Sequence, residues 1–186
     1  MALSFIANLH EMPDDLEQFD LIHKGIKTLD LRQWALNATQ DICTVSRFTH
    51  ITSLKLQGSI DDGVLEAILP HFTNLMSFED SRSRPASTYY EILPSTITHF
   101  AFNGGGSLKE IQKISTLPLT SLKTYYDCDP PYLPTLLSDN TRLRKLETQH
   151  VDLKQFPTFF PSLQHLEHLS FCLGWVSPYC TINKIL

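Results

Sequence analysis

Cysteines and long apolar runs are scarce in this 186-residue sequence. No stretch of eighteen apolar residues is present, so no membrane-spanning helix is predicted. The first residues carry no basic segment ahead of their short apolar stretch, which argues against a secretory signal and favours a cytoplasmic or nuclear protein. A Cys172–Cys180 disulfide would require an oxidising compartment. The cysteines lack Cys-x-x-Cys spacing and histidine partners at metal-site intervals, so reduced buried thiols and no metal site are predicted for Cys43, Cys128, Cys172 and Cys180.

Basic residues are also in the minority. Fifteen Lys and Arg residues face twenty Asp and Glu residues, which gives a formal net charge of -5. Without a basic stripe to neutralise phosphates, nucleic-acid binding is not expected. The one basic turn, Arg82-Ser83-Arg84-Pro85, is interpreted as a solvated loop, with a phosphorylation site or a phosphate contact as the alternative.

Catalytic motifs are absent from the sequence. The run Gly104–Gly106 lacks the spacing of a phosphate-binding loop, so it is interpreted as a tight turn, with anion binding at Ser107 as the minor alternative. His165 and His168 are interpreted as a solvated pair, because a structural zinc site needs four ligands. No Ser, His and Asp arrangement stands out. We therefore expect no enzymatic activity and no cofactor.

What the sequence does contain is a repeated phrase, apolar-x-x-apolar-x-apolar. Its copies are separated by 25, 24, 22, 25, 21 and 23 residues and begin at Ile26, Ile51, Leu75, Ile97, Leu122, Leu143 and Leu166. The third apolar position is polar in three copies, at Asp80, Asp127 and Thr148, which suggests a bulge or a one-residue shift. Such a period predicts one supersecondary unit per repeat, with units stacked to bury a continuous core.

The residues inside and between the phrases predict strands and short helices. Eighteen of the twenty-one positions between the apolar ones are polar or charged, as expected for half-buried strands. Asp61-Asp62 precedes a helical apolar stripe, and Ser107 with Glu110 forms a capping box before another helix. Prolines in the fifth and sixth connectors predict short or 3₁₀-type turns there.

Two units, Ile51-Thr52-Ser53-Leu54-Lys55-Leu56 and Leu166-Glu167-His168-Leu169-Ser170-Phe171, resemble leucine-rich repeats, and their helical connectors resemble those of ribonuclease-inhibitor-like and F-box leucine-rich-repeat proteins. The resemblance covers residues 26 to 171. It implies an α/β leucine-rich-repeat solenoid, or horseshoe, with a parallel concave sheet of about seven to eight strands and short helices or turns on the convex side. The Asn or Cys that many members carry after the last strand leucine is absent here.

The ends of the chain are expected to differ from the repeats. Residues 1–25 are predicted to form an N-terminal cap or partial repeat, with a partial strand at Leu3 and Phe5 and an acidic helix at 13–19. Residues 172–186 are predicted to form a C-terminal tail, as an apolar cap or a truncated repeat.

The outward strand positions carry the candidate site, because solenoids of this kind bind partners along that surface. Lys123, Tyr126, Arg144 and Lys145 fall on adjacent strands, about 4.8 Å apart, and are predicted to form one patch. The full candidate set for partner binding is Lys27, Lys55, His99, Lys123, Tyr126, Arg144, Lys145 and Glu147.

These observations predict a non-enzymatic scaffold that binds the acidic groups of another protein on the concave face. The resemblance to F-box leucine-rich-repeat proteins implies a substrate-recognition module, or adaptor, of a ubiquitin ligase, and no F-box is recognisable in residues 1–25. The alternative is an effector or enzyme inhibitor of ribonuclease-inhibitor-like type. A hydrolase or nucleotide-binding enzyme is a third interpretation and depends only on the glycine run.

Overall fold

Strands alternate with short helices along the chain. The computed structural model describes residues 5–7, 25–32, 45–57, 60–82, 88–103, 108–125, 132–148, 161, 163–172 and 179–183. Its strands are β1 (Phe5–Ala7), β2 (Ile26–Leu31), β3 (Ser53–Leu56), β4 (Ser77–Asp80), β5 (His99–Phe102), β6 (Ser121–Thr124), β7 (Lys145–Thr148), β8 (His168–Cys172) and β9 (Tyr179–Asn183). Its helices are α1 (Asp62–Ile68), α2 (Leu108–Ser115) and α3 (Tyr132–Asp139), with 3₁₀ turns at Leu69–His71 and Thr88–Ile92.

The chain divides into two compact units, Met1–Ile97 and Thr98–Leu186. In the first unit β1, β2, β3 and β4 pair in chain order, and every pairing is parallel. In the second unit β5, β6, β7 and β8 pair in the same way, and β9 pairs antiparallel with β8. The predicted α/β architecture, with parallel strands linked by short helices, is therefore confirmed.

The apolar phrases form the strands because their apolar positions align between neighbours. All seven predicted strands are present, as β2 to β8. In the first unit the second apolar position aligns Leu29, Leu54 and Phe78, and in the second unit it aligns Phe100, Leu122, Leu146 and Leu169. Each of these side chains is at most 2% exposed, so a period-two pattern buries one face of every strand.

A tight turn precedes most of these strands. The amide of the first apolar residue donates to a carbonyl three residues earlier, from Ile51 to Phe48 at 3.2 Å and from Leu75 to Phe72 at 3.0 Å. Ile97, Leu143 and Leu166 make the same bond at 3.1 to 3.2 Å. The turn fixes where each of these strands begins, and it contains the polar residues that precede Leu75 and Leu166.

A second recurring hydrogen bond joins the start of a strand to the preceding repeat, and we name it the strand-entry bond. The Thr52 carbonyl accepts from the amides of both Met76 and Ser77, each at 2.9 Å. In the second unit three carbonyls each accept from two successive amides in the same way, at 2.8 to 3.1 Å, and they belong to Thr98, Thr120 and Arg144. Because donors and acceptor are backbone groups, this strand-entry bond forms whatever side chains the positions carry.

The fifth repeat has a different register from the predicted one. Leu122 aligns with Phe100, so it occupies the second apolar position instead of the first, which belongs to Leu119. The third position is Thr124, not Asp127, and Thr124 is 1% exposed. Its hydroxyl donates to that of Thr148 at 3.0 Å, which lets two polar side chains occupy inward positions. With Leu119 as the start, the six separations become 25, 24, 22, 22, 24 and 23 residues.

No bulge or one-residue shift occurs at Asp80 or Thr148. Asp80 aligns directly with Leu56, and Thr148 aligns with Thr124 and Phe171. The suggested irregularity at these two positions is therefore wrong, and the polar side chains occupy inward positions of regular strands.

The connectors agree in part with their predictions. Asp61 caps α1 as predicted, with its side chain accepting from the Gly63 amide at 2.7 Å. A helix is present at Leu108–Ser115, as predicted. The proline-rich fifth connector forms an eight-residue α-helix instead of a 3₁₀ turn, because Pro134 lies in its first turn, where a missing N–H costs no helical hydrogen bond.

The two ends contain strands where partial structure was predicted. β1 pairs with β2, and β9 folds back on β8. The acidic helix predicted at 13–19 and the glycine run Gly104–Gly106 with Ser107 lie outside the described residues. None of the helices in the described part of the chain is long and apolar enough to cross a membrane.

Candidate functional site

The candidate site lies on the strand face opposite the buried apolar rows, which we name the outward face. Along β2 to β7, buried residues alternate with half-buried or exposed ones. The outward residues are held at fixed spacing because the strand register fixes their backbone positions. Each unit therefore presents its own ordered set of polar side chains.

In the first unit the outward face carries a row of alternating charge. Asp30 aligns with Lys55, and Lys55 aligns with Glu79, its partner at 3.7 Å. The Arg32 guanidinium lies 2.6 Å from Asp30. Hydrogen bonds from Arg32 hold the pKa of Asp30 below its ordinary value of 3.8, against the opposing effect of partial burial. Within this row two cations balance two carboxylates. Lys27, which is exposed on the same strand as Asp30, is a third cation outside the row.

In the second unit one carboxylate bridges two cations. Glu147 Oε2 lies 3.1 Å from Lys123 Nζ on the neighbouring strand, and its Oε1 lies 2.7 Å from Lys145 Nζ two residues earlier. Burial acts to raise the pKa of Glu147, but hydrogen bonds from Lys145 and Lys123 outweigh it and hold the pKa below its ordinary value. Glu147 is therefore ionised at neutral pH, and the three groups together carry one net positive charge.

An aromatic residue that the sequence interpretation placed in the core belongs to this group. Tyr125 is half-buried, and Lys123 Nζ lies 4.8 Å from the centre of its ring. A cation at this distance is attracted to the ring face. The predicted aromatic, Tyr126, lies outside the described residues. In the observed register of β6 the outward residues alternate from Ser121 through Lys123 to Tyr125. Reading the sequence in this register would have placed Tyr125 on the outward face.

Two other predicted residues of the second unit, Arg144 and His99, have different partners. Arg144 pairs with Glu167 at 3.3 Å, and both side chains are about two-thirds exposed, so their attraction is largely screened by water. His99 is exposed at the start of β5, with its Nδ1 2.9 Å from the Thr98 hydroxyl. The structure thus brings together Lys123, Lys145 and Glu147 from the predicted set, and we name these three with Tyr125 the lysine cluster.

A second concentration of charge is buried in the first unit. Asp80 is 0% exposed and Arg82 is 4% exposed, with their side chains 2.9 Å apart. Arg82 also donates to Asp62 Oδ1 at 2.9 Å and to the Ile60 carbonyl at 2.8 Å. The Tyr89 hydroxyl donates to Asp80. We name these residues, Asp62, Asp80, Arg82 and Tyr89, the buried ion network.

The buried ion network contains residue types that are common in active sites, but most of its side chains are buried away from solvent. Burial, followed by Tyr90 and Asp80, raises the pKa of Tyr89 well above its ordinary value, so the hydroxyl stays protonated. Burial acts to lower the pKa of Arg82, but Asp80 outweighs it and the pKa is raised. With Asp80, Arg82 and Tyr89 almost fully buried, the network joins β4 to both flanking connectors. The interpretation of Arg82 as part of a solvated loop is wrong.

Among the described residues, no group of three or more His, Cys, Asp and Glu side chains could hold a metal ion. Neither a protein-family model nor a curated protein matches the chain. The outward face therefore remains the candidate functional site.

Proposed function

We propose that this chain is a non-enzymatic leucine-rich-repeat domain that binds another protein through the outward face of residues 98–186. The regular parallel pairing and the strand-entry bonds, whose partners lie 22 to 25 residues apart in sequence, support the repeat interpretation. They give the outward face a fixed spacing, as a binding surface requires. The role as a ubiquitin-ligase adaptor stays a prediction from the resemblance alone.

The observation that carries the proposal is the lysine cluster. Tyr125 and two lysines lie together on adjacent strands, with the lysine side chains 42% and 48% exposed. Aromatic residues with cationic neighbours are enriched where interfaces concentrate their binding energy. The first unit has no counterpart among its described outward residues, where Lys55 is paired within a balanced row.

Site-specific photo-crosslinking in native lysate tests which face is used. A photoreactive phenylalanine derivative would replace Tyr125 in one variant and Gln112, an exposed residue on α2, in a matched control. We expect a discrete protein adduct from position 125 only, lost when Lys123→Glu and Lys145→Glu are added. An adduct that forms equally from position 112, or that survives both charge reversals, would contradict the proposal.

A further inference from the structure

Two lysines from neighbouring strands, Lys123 and Lys145, hold the carboxylate of Glu147. Its two oxygens accept from different ammonium groups, at 3.1 Å from Lys123 and 2.7 Å from Lys145. The outward face therefore already contains a formed carboxylate site, filled by a residue of the chain itself. Each ammonium carries three N–H donors, and the contact with Glu147 uses one of them.

The charge of the cluster favours a further anion. Two ammonium groups against one carboxylate leave one net positive charge, and the half-exposed lysines keep that charge accessible. In the first unit, Lys55 lies between two carboxylates in register, those of Asp30 and Glu79. An anionic group approaching the chain is thus attracted to the lysine cluster more strongly than to the Lys55 row.

Tyr125 adds an apolar surface next to the charge. Its ring lies beside the Lys123 ammonium, so a ligand that reaches the lysines also reaches an aromatic face. An acidic peptide segment with an apolar side chain next to its carboxylates has both complementary groups. A small inorganic anion has only one of them.

We propose that the lysine cluster binds an acidic segment of the partner protein and that Glu147 is an internal competitor for the same two lysines. The proposal rests on the proposed function, which it extends to the chemistry of the partner. A partner carboxylate that takes over donors of Lys123 and Lys145 weakens their contacts with Glu147. Removing the charge of Glu147 alone then strengthens binding, whereas a merely structural role for Glu147 would not.

Fluorescence anisotropy tests this with a short labelled peptide that alternates glutamate with leucine, compared with the same peptide carrying glutamine in place of glutamate. We expect Glu147→Gln to tighten binding of the glutamate peptide about fivefold at low salt, the effect of removing one like charge at about 4 Å when water screens the pair as in bulk solution. The gain should shrink as ionic strength rises to about 0.3 M. Lys123→Ala with Lys145→Ala should abolish binding, and Lys55→Ala, at a lysine of similar exposure, should leave it unchanged.

Three results would overturn the inference: no gain for Glu147→Gln, equal binding of the glutamine peptide, or an equal loss for Lys55→Ala. A gain confined to the glutamate peptide cannot come from apolar surface exposed by misfolding, because that surface would bind the glutamine peptide equally. The test therefore stays valid if the double alanine variant is unstable. If no variant binds the glutamate peptide but crosslinking at position 125 still captures a protein, the acidic chemistry is wrong and the binding face stands. Failure of both experiments removes the proposed function as well.

Discussion

The same three-residue arrangement, Asp-x-Arg, occurs on the outward face and in the interior of the first unit. At both places the arginine amide donates to the aspartate, at 3.1 Å for Arg32 and Asp30 and at 3.0 Å for Arg82 and Asp80. The arginine Nε donates to the same oxygen at 2.9 Å in both. The difference is strand phase, because Asp30 aligns with Lys55 whereas Asp80 aligns with Leu56.

This one-residue difference in strand phase determines which further hydrogen-bond partners the arginine needs from its surroundings. Arg32 is 43% exposed and water can solvate its remaining donors. Arg82 is almost fully buried, so its remaining donors are taken up by Asp62 and the Ile60 carbonyl, and its charge also lies 5.1 Å from the centre of the Tyr89 ring. At the surface the Asp-x-Arg ion pair adds little to stability, whereas in the core each charge needs its partner to remain buried.

Arg82→Ala should have the largest effect on stability. It leaves Asp80 buried without its counter-charge, and breaking a buried pair in this way costs about 3–5 kcal/mol of unfolding free energy. Urea denaturation followed by circular dichroism measures the loss. A loss below about 1 kcal/mol would show that water reaches Asp80 and that the buried ion network is not closed.

Tyr89→Phe should have the next largest effect. It removes one hydrogen bond to a charged acceptor and leaves the Asp80–Arg82 pair in place, so a loss of about 1.5–3 kcal/mol is expected. The same urea experiment applies. Tyr125→Phe, at a half-buried tyrosine on the outward face, is the control and should change stability little.

The double variant Asp80→Leu with Arg82→Met should recover most of what Arg82→Ala loses. Leucine already stands at the aligned positions Leu31 and Leu56, and apolar replacements of a buried pair are often neutral or stabilising. The Tyr89 hydroxyl loses its acceptor, so we expect a net loss of about 1–2 kcal/mol. If the double variant is less stable than Arg82→Ala, the buried ion network is needed to specify the fold, and apolar packing cannot replace it.

Arg32→Ala should have the smallest effect, below about 1 kcal/mol at neutral pH. Because the pKa of Asp30 is depressed in the folded state, its contribution is present above 3.8 and is lost as the pH falls through the lower, folded value. Wild type should therefore lose slightly more stability than Arg32→Ala below pH 3.8. Parallel acid-unfolding curves for the two proteins would contradict this assignment.

The sequence predicts the register of six strands, two of which carry a polar side chain at the third inward position, and fails for the fifth. Six repeats were placed in their observed register because leucine, isoleucine or phenylalanine marks their first two positions. The fifth was misplaced because Thr124 is buried against Thr148, a partner 24 residues away that an apolar pattern does not reveal. The same error put Tyr125 in the core.

The ion pairs of the outward face could not be predicted from the sequence, for a related reason. Alternation alone predicted that Lys123, Lys145 and Glu147 point outward, but only the parallel register shows that one carboxylate joins both lysines. Asp80 was recognised as an exception to the apolar pattern. Its spacing to Arg82, already seen in Asp30 and Arg32, was the available clue that the exception is neutralised locally.

The strand-entry bonds have an evolutionary consequence. The acceptor is threonine in three of the four cases, Thr52, Thr98 and Thr120, yet the carbonyl of Arg144, a larger and charged residue, accepts the same pair of amides from the next strand. Substitutions can therefore change the side chains at these positions while the backbone hydrogen bonds between strands are retained. Such a protein can acquire a new partner by point substitution, and an engineer can use the same positions as a library without redesigning the core.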